Sequence, residues 1–230
     1  MKKLGVLGGM GPLCTASFYE KLVEFTKADC DQDHIPTIII SDCQIPDRTS
    51  TIITGKDRDL LLSKAKDDLE TLEKLGVSNI AIPCNTMHYY IEKLQSFTKV
   101  NIINMIYETL KYCNEKSYKN IAVLGTLGTT SYGIYEKYAG DFDIDIYKLS
   151  DEQKNFVMET IYNIKASKIT YIPEFIEFVE NLKKEGVDGI ILACTELSLI
   201  DNLNSYPYIV DAMDILAKES VKKMGYELAE

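Results

Sequence analysis

The chain has 230 residues, of which 46% are hydrophobic and 26% charged, proportions that are ordinary for a folded globular protein. Its formal net charge of −10 at pH 7 argues against nucleic acid or an anionic membrane as a partner, because both attract clustered cations. No apolar run reaches the roughly 20 residues of a transmembrane helix, and a strand pattern stands where a signal peptide would be, so we expect a cytoplasmic protein.

Short apolar runs alternate with longer amphipathic stretches along the whole chain, which indicates an α/β fold with mostly parallel sheets. Continuous runs of Ile, Val and Leu suit strands that helices cover on both faces. The predicted strands are Lys3–Leu7, Thr37–Ser41, Ile80–Pro83, Asn101–Ile103, Asn120–Leu124, Asp143–Lys148, Gly189–Ala193 and Tyr208–Val210. The predicted helices are Pro12–Cys30, Arg58–Leu75, Met87–Phe97, Met105–Glu115, Ser131–Tyr138, Asp151–Lys165, Tyr171–Glu185 and Met213–Met224.

One motif is written twice. Residues 76–86 read GVSNIAIPCNT and residues 186–196 read GVDGIILACTE, so that each copy passes through an apolar run to one cysteine, Cys84 or Cys194. Small polar residues follow both cysteines. A duplicated chain with one thiol in each half predicts a cleft that has a cysteine on either wall.

A glycine motif repeats as well, as LGVLGGMG at residues 4–11 and IAVLGTLG at 121–128. The two repeats together predict two similar α/β domains that are related by a pseudo-two-fold axis, with the active site in the cleft between them. We expect the first domain to cover residues 1–104 and the second 105–210. The C-terminal helix, within 211–230, should pack back on the first domain.

The residues that do not fit a simple strand or helix pattern follow the predicted strands. In open α/β sheets, ligands bind beyond the carboxyl ends of the strands, so these segments should share one rim. They are Gly8–Pro12, Ser41–Thr49, Cys84–His88, Gly125–Thr130 and Cys194–Ser198.

The segment Gly8–Pro12 follows a strand and opens a helix, which permits a structural turn, a nucleotide site or a small-carboxylate site. Cys14 stands where a dinucleotide fingerprint has Gly or Ala, and Pro12 removes an N–H that could meet a phosphate. The pattern therefore favours a small carboxylate over a nucleotide, and we expect no cofactor.

The six cysteines show neither CxxC pairs nor a zinc-binding spacing, so free thiols are expected. A lone cysteine at a strand end is usually a small buried hydrophobe. Cys84 and Cys194 each stand at the start of a helix or turn, where the helix dipole favours a thiolate over a thiol. We therefore interpret these two as catalytic and the other four as structural.

Four segments together resemble the cofactor-independent aspartate racemases of the aspartate/glutamate racemase superfamily. They are LGGMGP at 7–12, QIPDRT at 44–49, PCNTMH at 83–88 and ACTEL at 193–197. The resemblance covers nearly the whole chain in order, and QIPDRT is specific to the aspartate branch. It implies two α/β domains, an acidic amino acid as substrate, no cofactor, no metal and a homodimer.

The resemblance also implies roles for single residues. Cys84 and Cys194 would be the acid and base on opposite faces of the substrate α-carbon. Arg48 would bind a substrate carboxylate, for which a planar bidentate donor is well suited. The other implied substrate contacts are Met10, Gln44, Asn85, Thr86, Met87, Thr126, Lys165 and Thr195.

Several alternatives stay open at this point. Glutamate racemases have a histidine two residues after the second cysteine, where this chain has Glu196, so that the aspartate branch fits better. A broad-specificity aspartate/glutamate racemase, or a sister enzyme that uses one cysteine for decarboxylation or cis–trans isomerisation, is related. From a different class, a two-lobe amino-acid binding protein would share the architecture, but it would not need paired thiols.

Overall fold

The computed structural model describes residues 2–167 and 169–229. By contacts the chain divides into two compact units, one built from the residues up to Glu108 and those from Met213 onward, the other from Thr109–Ala212. Each unit holds one four-stranded sheet, and all the strand pairs are parallel. The predicted α/β fold with parallel sheets is therefore confirmed. The domain boundaries at 104 and 210 stay predictions, because contacts alone do not show which parts fold independently.

The sheet of the first unit has the order β2-β1-β3-β4. Strand β1 is buried throughout, and Leu4 pairs with Thr37 of β2 on one side and with Asn79 of β3 on the other. The strands are β1 Leu4–Gly8, β2 Thr37–Ser41, β3 Asn79–Ala81 and β4 Asn101–Ile102. The helices are α1 Pro12–Phe25, α2 Arg48–Thr54, α3 Arg58–Lys74, α4 Ile91–Gln95 and α5 Met105–Glu115, the last of which continues into the second unit.

The sheet of the second unit has the equivalent order, β6-β5-β7-β8. The repeat seen in the sequence is therefore a repeat of topology. The strands are β5 Asn120–Leu124, β6 Asp145–Ile146, β7 Gly189–Leu192 and β8 Ile209–Asp211. The helices are α6 Leu127–Thr130, α7 Glu136–Ala139, α8 Asp151–Ser167 and α9 Pro173–Lys184, followed by α10 Ala212–Met224, nearly all of which belongs to the first unit.

Each sheet has its own apolar core. Leu61, Leu69 and Leu72 on α3 are fully buried, and they pack in one cluster with Ile80 of β3. In the second unit Val157 and Ile161 of α8 pack with Phe175 and Val179 of α9. In the described part of the chain, no helix is both long enough and apolar enough to cross a bilayer.

Local chemistry explains where several helices begin and end. Pro12 and Pro173 stand in the first turns of α1 and α9, where a missing N–H does no harm. Asp47 caps α2, since its Oδ1 accepts a hydrogen bond from the Ser50 backbone N–H at 2.7 Å. Gly55 ends α2 in the left-handed conformation, at φ 73°.

The structure corrects the helix predictions in two places. The predicted helix Met87–Phe97 is a 3₁₀ helix, Thr86–Tyr90, that runs directly into the short α4. The predicted helix Ser131–Tyr138 is replaced by α6 and α7, which Gly133 separates at φ 67°. A left-handed glycine inside a helical pattern ends the helix, and the sequence alone does not reveal its backbone conformation.

Two further differences concern a helix that was not predicted and the length of another. Helix α2 was not predicted, because its sequence RTSTIIT consists largely of residues with low helix propensity. Helix α1 ends at Phe25, five residues before the predicted end at Cys30. There the chain turns to pair with the C-terminus, where the Lys27 N–H donates to Glu227 O at 3.0 Å.

Candidate active site

The glycine loop after β1 is tightly packed. A side chain at Gly8 would overlap Thr15, and a Cβ on Gly9 would lie 2.4 Å from the backbone carbon of Asp42. Gly9 also has φ 88°, a conformation that other residues rarely adopt. Its N–H donates to Thr15 Oγ1 at 2.9 Å, and this hydroxyl donates to Gly11 O at 3.0 Å. The loop therefore has a structural role, and a carboxylate site at this loop stays a prediction.

Arg48, the first residue of α2, points back to the glycine loop. Its Nη2 donates to Met10 O at 3.2 Å, and its Nη1 donates to Pro46 O at 3.2 Å and Ile45 O at 3.4 Å. The side chain is half-buried, and within the described residues its Nε has no hydrogen-bond partner. Neutral carbonyl oxygens thus orient the guanidinium without cancelling its charge, which suits an arginine that receives a carboxylate.

Cys84 follows β3, the inner neighbour of β1. It is 8% exposed and packs in an apolar cluster that includes Met10, Ile45 and Met87. Its backbone N–H donates to Ile82 O at 2.8 Å. The next residues along the chain, Asn85 and Thr86, are buried as well. The structure therefore places five of the predicted site residues, Met10 and 84–87, in one small region of the first unit.

His88 supports this region instead of offering a base. The ring is buried, with Nδ1 2.9 Å from Cys84 O and Nε2 accepting the Met105 N–H at 3.1 Å. Since Nε2 accepts, the proton of the neutral ring sits on Nδ1 and is donated to Cys84 O. Burial lowers the pKa of His88, which keeps the ring uncharged at neutral pH.

Cys194 follows β7, which occupies in the second sheet the place of β3 in the first. Its Sγ donates to Oε2 of Glu196 at 2.9 Å, and Thr195 Oγ1 lies 3.4 Å from the same oxygen. The other carboxylate oxygen, Oε1, is 3.6 Å from Lys165 Nζ. Glu196 is only 8% exposed. A buried carboxylate thus joins three of the predicted site residues.

The electrostatic consequence concerns the protonation of Cys194. Two like unit charges about 4 Å apart in a protein repel by about 4 kcal/mol, and Cys194 Sγ and Glu196 Oε2 are closer than this. An ionised Glu196 therefore favours the thiol form of Cys194. Sequence reasoning noted Glu196 only as a departure from the histidine of glutamate racemases. Its position two residues after the cysteine was the available signal.

The second glycine motif packs beside the strand that carries Cys194. A Cβ on Gly125 would lie 3.1 Å from Ala193 O, so the chain passes close to the end of β7. Thr126, the residue before α6, and Thr129 within it are both buried, with their hydroxyl oxygens 3.4 Å apart. Whether Thr126 contacts a substrate stays a prediction.

Gln44 lies in an exposed position in the loop between β2 and α2. Its backbone N–H donates to Asp42 Oδ1 at 2.7 Å, while Asp42 Oδ2 pairs with Lys64 Nζ at 3.2 Å. Asp42 thus links the loop to α3, and its backbone lies close to Gly9. This anchor was not foreseen from the sequence.

A second carboxyl group adjoins this anchor and leads to a stability prediction. Burial, with repulsion from Asp42, raises the pKa of Asp68 to about 6. The unfolded chain loses this proton near its ordinary value of 3.8, so the free energy of unfolding falls as pH rises from about 4 to about 6. Asp68→Asn removes the ionisable group, and we expect it to raise that free energy by about 1 kcal/mol at pH 8, with allowance for solvent screening.

Urea unfolding of the Asp68→Asn variant at about pH 4.5 and about pH 8 measures this effect. Little change is expected at the lower pH, because folded Asp68 is already protonated there. Asp67→Asn, at an exposed position on the same helix, is the matched control and should show no such difference. An equal effect of Asp68→Asn at both pH values would contradict the prediction.

Metal binding finds no support in the described residues, among which no group of three or more His, Cys, Asp and Glu side chains could hold an ion. Among the described residues, which include all six cysteines, no disulfide bond is formed. The first unit offers one thiol and one guanidinium group, and the second offers one thiol, one carboxylate and one ammonium group.

Comparison with known proteins assigns the family. The profile of Asp/Glu/hydantoin racemases matches residues 7–219. The chain belongs to this family. The protein is thus an enzyme of the isomerase class, related over most of its length to racemases.

Individual relatives agree with the assignment to Asp/Glu/hydantoin racemases. The broad specificity amino-acid racemase RacX of Bacillus subtilis (strain 168) is 32% identical over 225 residues, 95% of this chain and 96% of that protein. Picrophilus torridus aspartate racemase is 32% identical and aligns with a TM-score of 0.87 over 100% of this chain and 96% of that one. An aspartate racemase homologue from Pyrococcus horikoshii OT3, at 22% identity and a TM-score of 0.80 over 97% of this chain and 99% of that one, supports the fold alone.

Proposed function

We propose that this enzyme interconverts L- and D-aspartate without a cofactor, by 1,1-proton transfer between Cys84 and Cys194. The observation that carries the proposal is the equivalent placement of the two cysteines, each just after the inner strand of a four-stranded sheet with the same strand order. Small polar residues follow each of them. Similarity to an aspartate racemase over the full chain supports the same reaction.

In the proposed reaction one cysteine, as thiolate, removes the α-proton of the amino acid. The other cysteine, as thiol, donates its proton to the opposite face of the resulting carbanion. One C–H bond breaks and another forms, and each sulfur ends in the protonation state that the other had before. The reverse reaction exchanges the roles, so both protonation forms of the enzyme take part.

The carbanion intermediate adds charge to a substrate that is already negative, so the site must stabilise it with hydrogen-bond donors and cations. In the first unit, Arg48 is held by backbone carbonyls and can form paired hydrogen bonds with a carboxylate. In the second unit, Lys165 Nζ lies 3.6 Å from Oε1 of Glu196, the carboxylate that contacts Cys194. We propose that these two residues receive the two carboxylates of aspartate.

The other site assignments belong to the same proposal. Buried amide and hydroxyl groups beside the cysteines would donate hydrogen bonds to the substrate, and the methionines would shape an apolar wall. We also propose a cytoplasmic homodimer, in line with the family resemblance. The contacts are assigned to Met10, Gln44, Asn85, Thr86, Met87, Thr126 and Thr195.

A broader substrate range is the second candidate. The Bacillus subtilis relative is described as a broad specificity amino-acid racemase, and its identity to this chain equals that of the aspartate racemase structure, at 32%. The two alternatives share one mechanism and differ only in the substrate side chain. An enantiomer-resolved panel of aspartate, glutamate, asparagine and glutamine separates them.

The reaction itself is tested by incubating the protein with L-aspartate in deuterium oxide. We expect D-aspartate to accumulate with deuterium at the α-carbon, because the proton that is added comes from a thiol in exchange with solvent. Heat-inactivated protein is the control. If L-aspartate and the other three amino acids all stayed unlabelled and unconverted, the proposed function would be wrong.

A further inference from the structure

We infer that Glu196 holds Cys194 as a protonated thiol in the ligand-free enzyme, so that Cys194 is the resting acid and the base is Cys84. The inference rests on the proposed function, because only a two-cysteine racemase needs one thiol and one thiolate at rest. It adds a positioning residue to the site and an order to the proton transfer.

Hydrogen-bond donors and a cation lie beside the carboxylate of Glu196. Its Oε2 accepts from Cys194 Sγ at 2.9 Å, with the Thr195 hydroxyl 3.4 Å away, and its Oε1 is 3.6 Å from Lys165 Nζ. Donors thus surround both oxygens of a carboxylate that is 8% exposed. An ionised acceptor can keep its contact with Cys194 only while the sulfur retains its proton.

The first copy of the repeat has no carboxylate at the position that corresponds to Glu196. Position 86 corresponds to position 196, and Thr86 carries no charge. Cys84 and Cys194 are alike in their packing, because each lies against the apolar core of its own unit. The negative charge of Glu196 lies directly beside the sulfur of Cys194. Lys165 opposes it, but this lysine lies on the far oxygen and its side chain is 37% exposed, where water screens its charge.

The experiment measures the ionisation of each cysteine directly. Ligand-free protein is treated with iodoacetamide, which reacts with the thiolate, and the alkylation of each cysteine is followed by peptide mass spectrometry. We expect Cys84 to react at least about tenfold faster than Cys194 at neutral pH. A tenfold difference in thiolate fraction corresponds to a difference of about one pKa unit between two thiols. Solvent accessibility alone would predict the opposite order, because Cys84 is more buried than Cys194. Exposed Cys43 serves as the internal reference.

Glu196→Gln keeps the shape of the side chain and removes its charge, and it should accelerate alkylation of Cys194 about tenfold while leaving Cys84 unchanged. Glu196→Asp, which retains the charge, should preserve part of the protection. Glu185→Gln is the control for the amide substitution, because Glu185 is exposed and bonds Tyr147 elsewhere in the same unit.

Each result decides the inference. Alkylation of Cys194 faster than that of Cys84 in the native protein would overturn it. So would a Glu196→Gln variant, folded by circular dichroism, in which Cys194 reacts at the native rate. The alkylation assay contains no amino acid substrate, whereas the proposed function is tested by deuterium uptake. The two can therefore fail separately.

Discussion

Replacing either Cys84 or Cys194 by serine is expected to lower kcat/KM for aspartate racemisation at least about 10³-fold in both directions. A correctly positioned acid or base raises the rate about 10²–10⁴-fold. A serine hydroxyl is so weakly acidic that it does not ionise at neutral pH, so it cannot act as a base in place of a thiolate. In the proposed mechanism each cysteine is the base for one enantiomer and the acid for the other, so neither direction should survive the loss of either sulfur.

The double variant sharpens this prediction. Residues that act as one catalytic unit are strongly non-additive, so Cys84→Ser combined with Cys194→Ser should be little worse than either single change. Polarimetry or chiral chromatography from both enantiomers gives the rates, and urea unfolding should show changes within about 1 kcal/mol. Near-native turnover in either single variant would exclude a two-base mechanism.

The matched control is Cys43→Ser. This cysteine is exposed, and its thiol lies within hydrogen-bonding distance of the hydroxyl and the carbonyl oxygen of Ser41. Cys43→Ser should therefore leave the rate of racemisation unchanged. Cys113 is a less suitable control, because it is fully buried, and burial raises the pKa of its thiol to about 12. Replacing Cys113 would test core packing instead of proton transfer.

The architecture could be predicted because an apolar run marks every strand and the repeat relates the two halves of the chain. Each of the eight predicted strands has a counterpart in the structure, and the parallel α/β arrangement follows from their alternation with helices. Backbone conformation was harder to foresee. Gly133, Gly55 and Thr26 end or interrupt helices through a left-handed conformation or a local hydrogen bond, which no hydrophobic period encodes.

The candidate site was predicted from motifs and from the family resemblance, whereas its side-chain contacts could not be predicted. Cys84 and Cys194 were proposed from the repeated motif, and the resemblance implied Arg48. Cys194 contacts Glu196, and Glu196 in turn lies near Lys165. These contacts depend on the turn that brings the Glu196 side chain back to the cysteine two residues earlier, and the sequence does not reveal that turn. The structure assigns His88 to backbone support, since both ring nitrogens bond main-chain atoms.

The last prediction concerns Arg48. We expect Arg48→Ala to lower kcat/KM for aspartate about 1,000-fold, equivalent to about 4 kcal/mol of lost transition-state binding. Arg48→Lys should recover only part of this loss, about tenfold, because an ammonium group cannot contact three carbonyl oxygens and a carboxylate in one plane. The native contacts to Met10 O, Pro46 O and Ile45 O set that plane.

The chain provides a matched control, since Arg58 is its one other arginine. Arg58 begins α3, with its guanidinium carbon 6.0 Å from the centre of the Tyr90 ring, and Arg58→Ala should leave kcat/KM within about twofold of the native value. Loss of activity in Arg48→Ala together with a drop in unfolding free energy of similar size would indicate a structural role. Unchanged stability with rescue by added methylguanidinium would indicate substrate binding.

A comparison of aspartate with asparagine identifies which carboxylate Arg48 receives. If it holds the side-chain carboxylate, Arg48→Ala should remove the preference for aspartate, because asparagine lacks that charge and loses little when the arginine is absent. If it holds the α-carboxylate, both substrates should lose activity in equal proportion. Kinetics for both amino acids in the native enzyme and in Arg48→Ala decide between these outcomes. A variant that keeps native kinetics for both would remove Arg48 from the site.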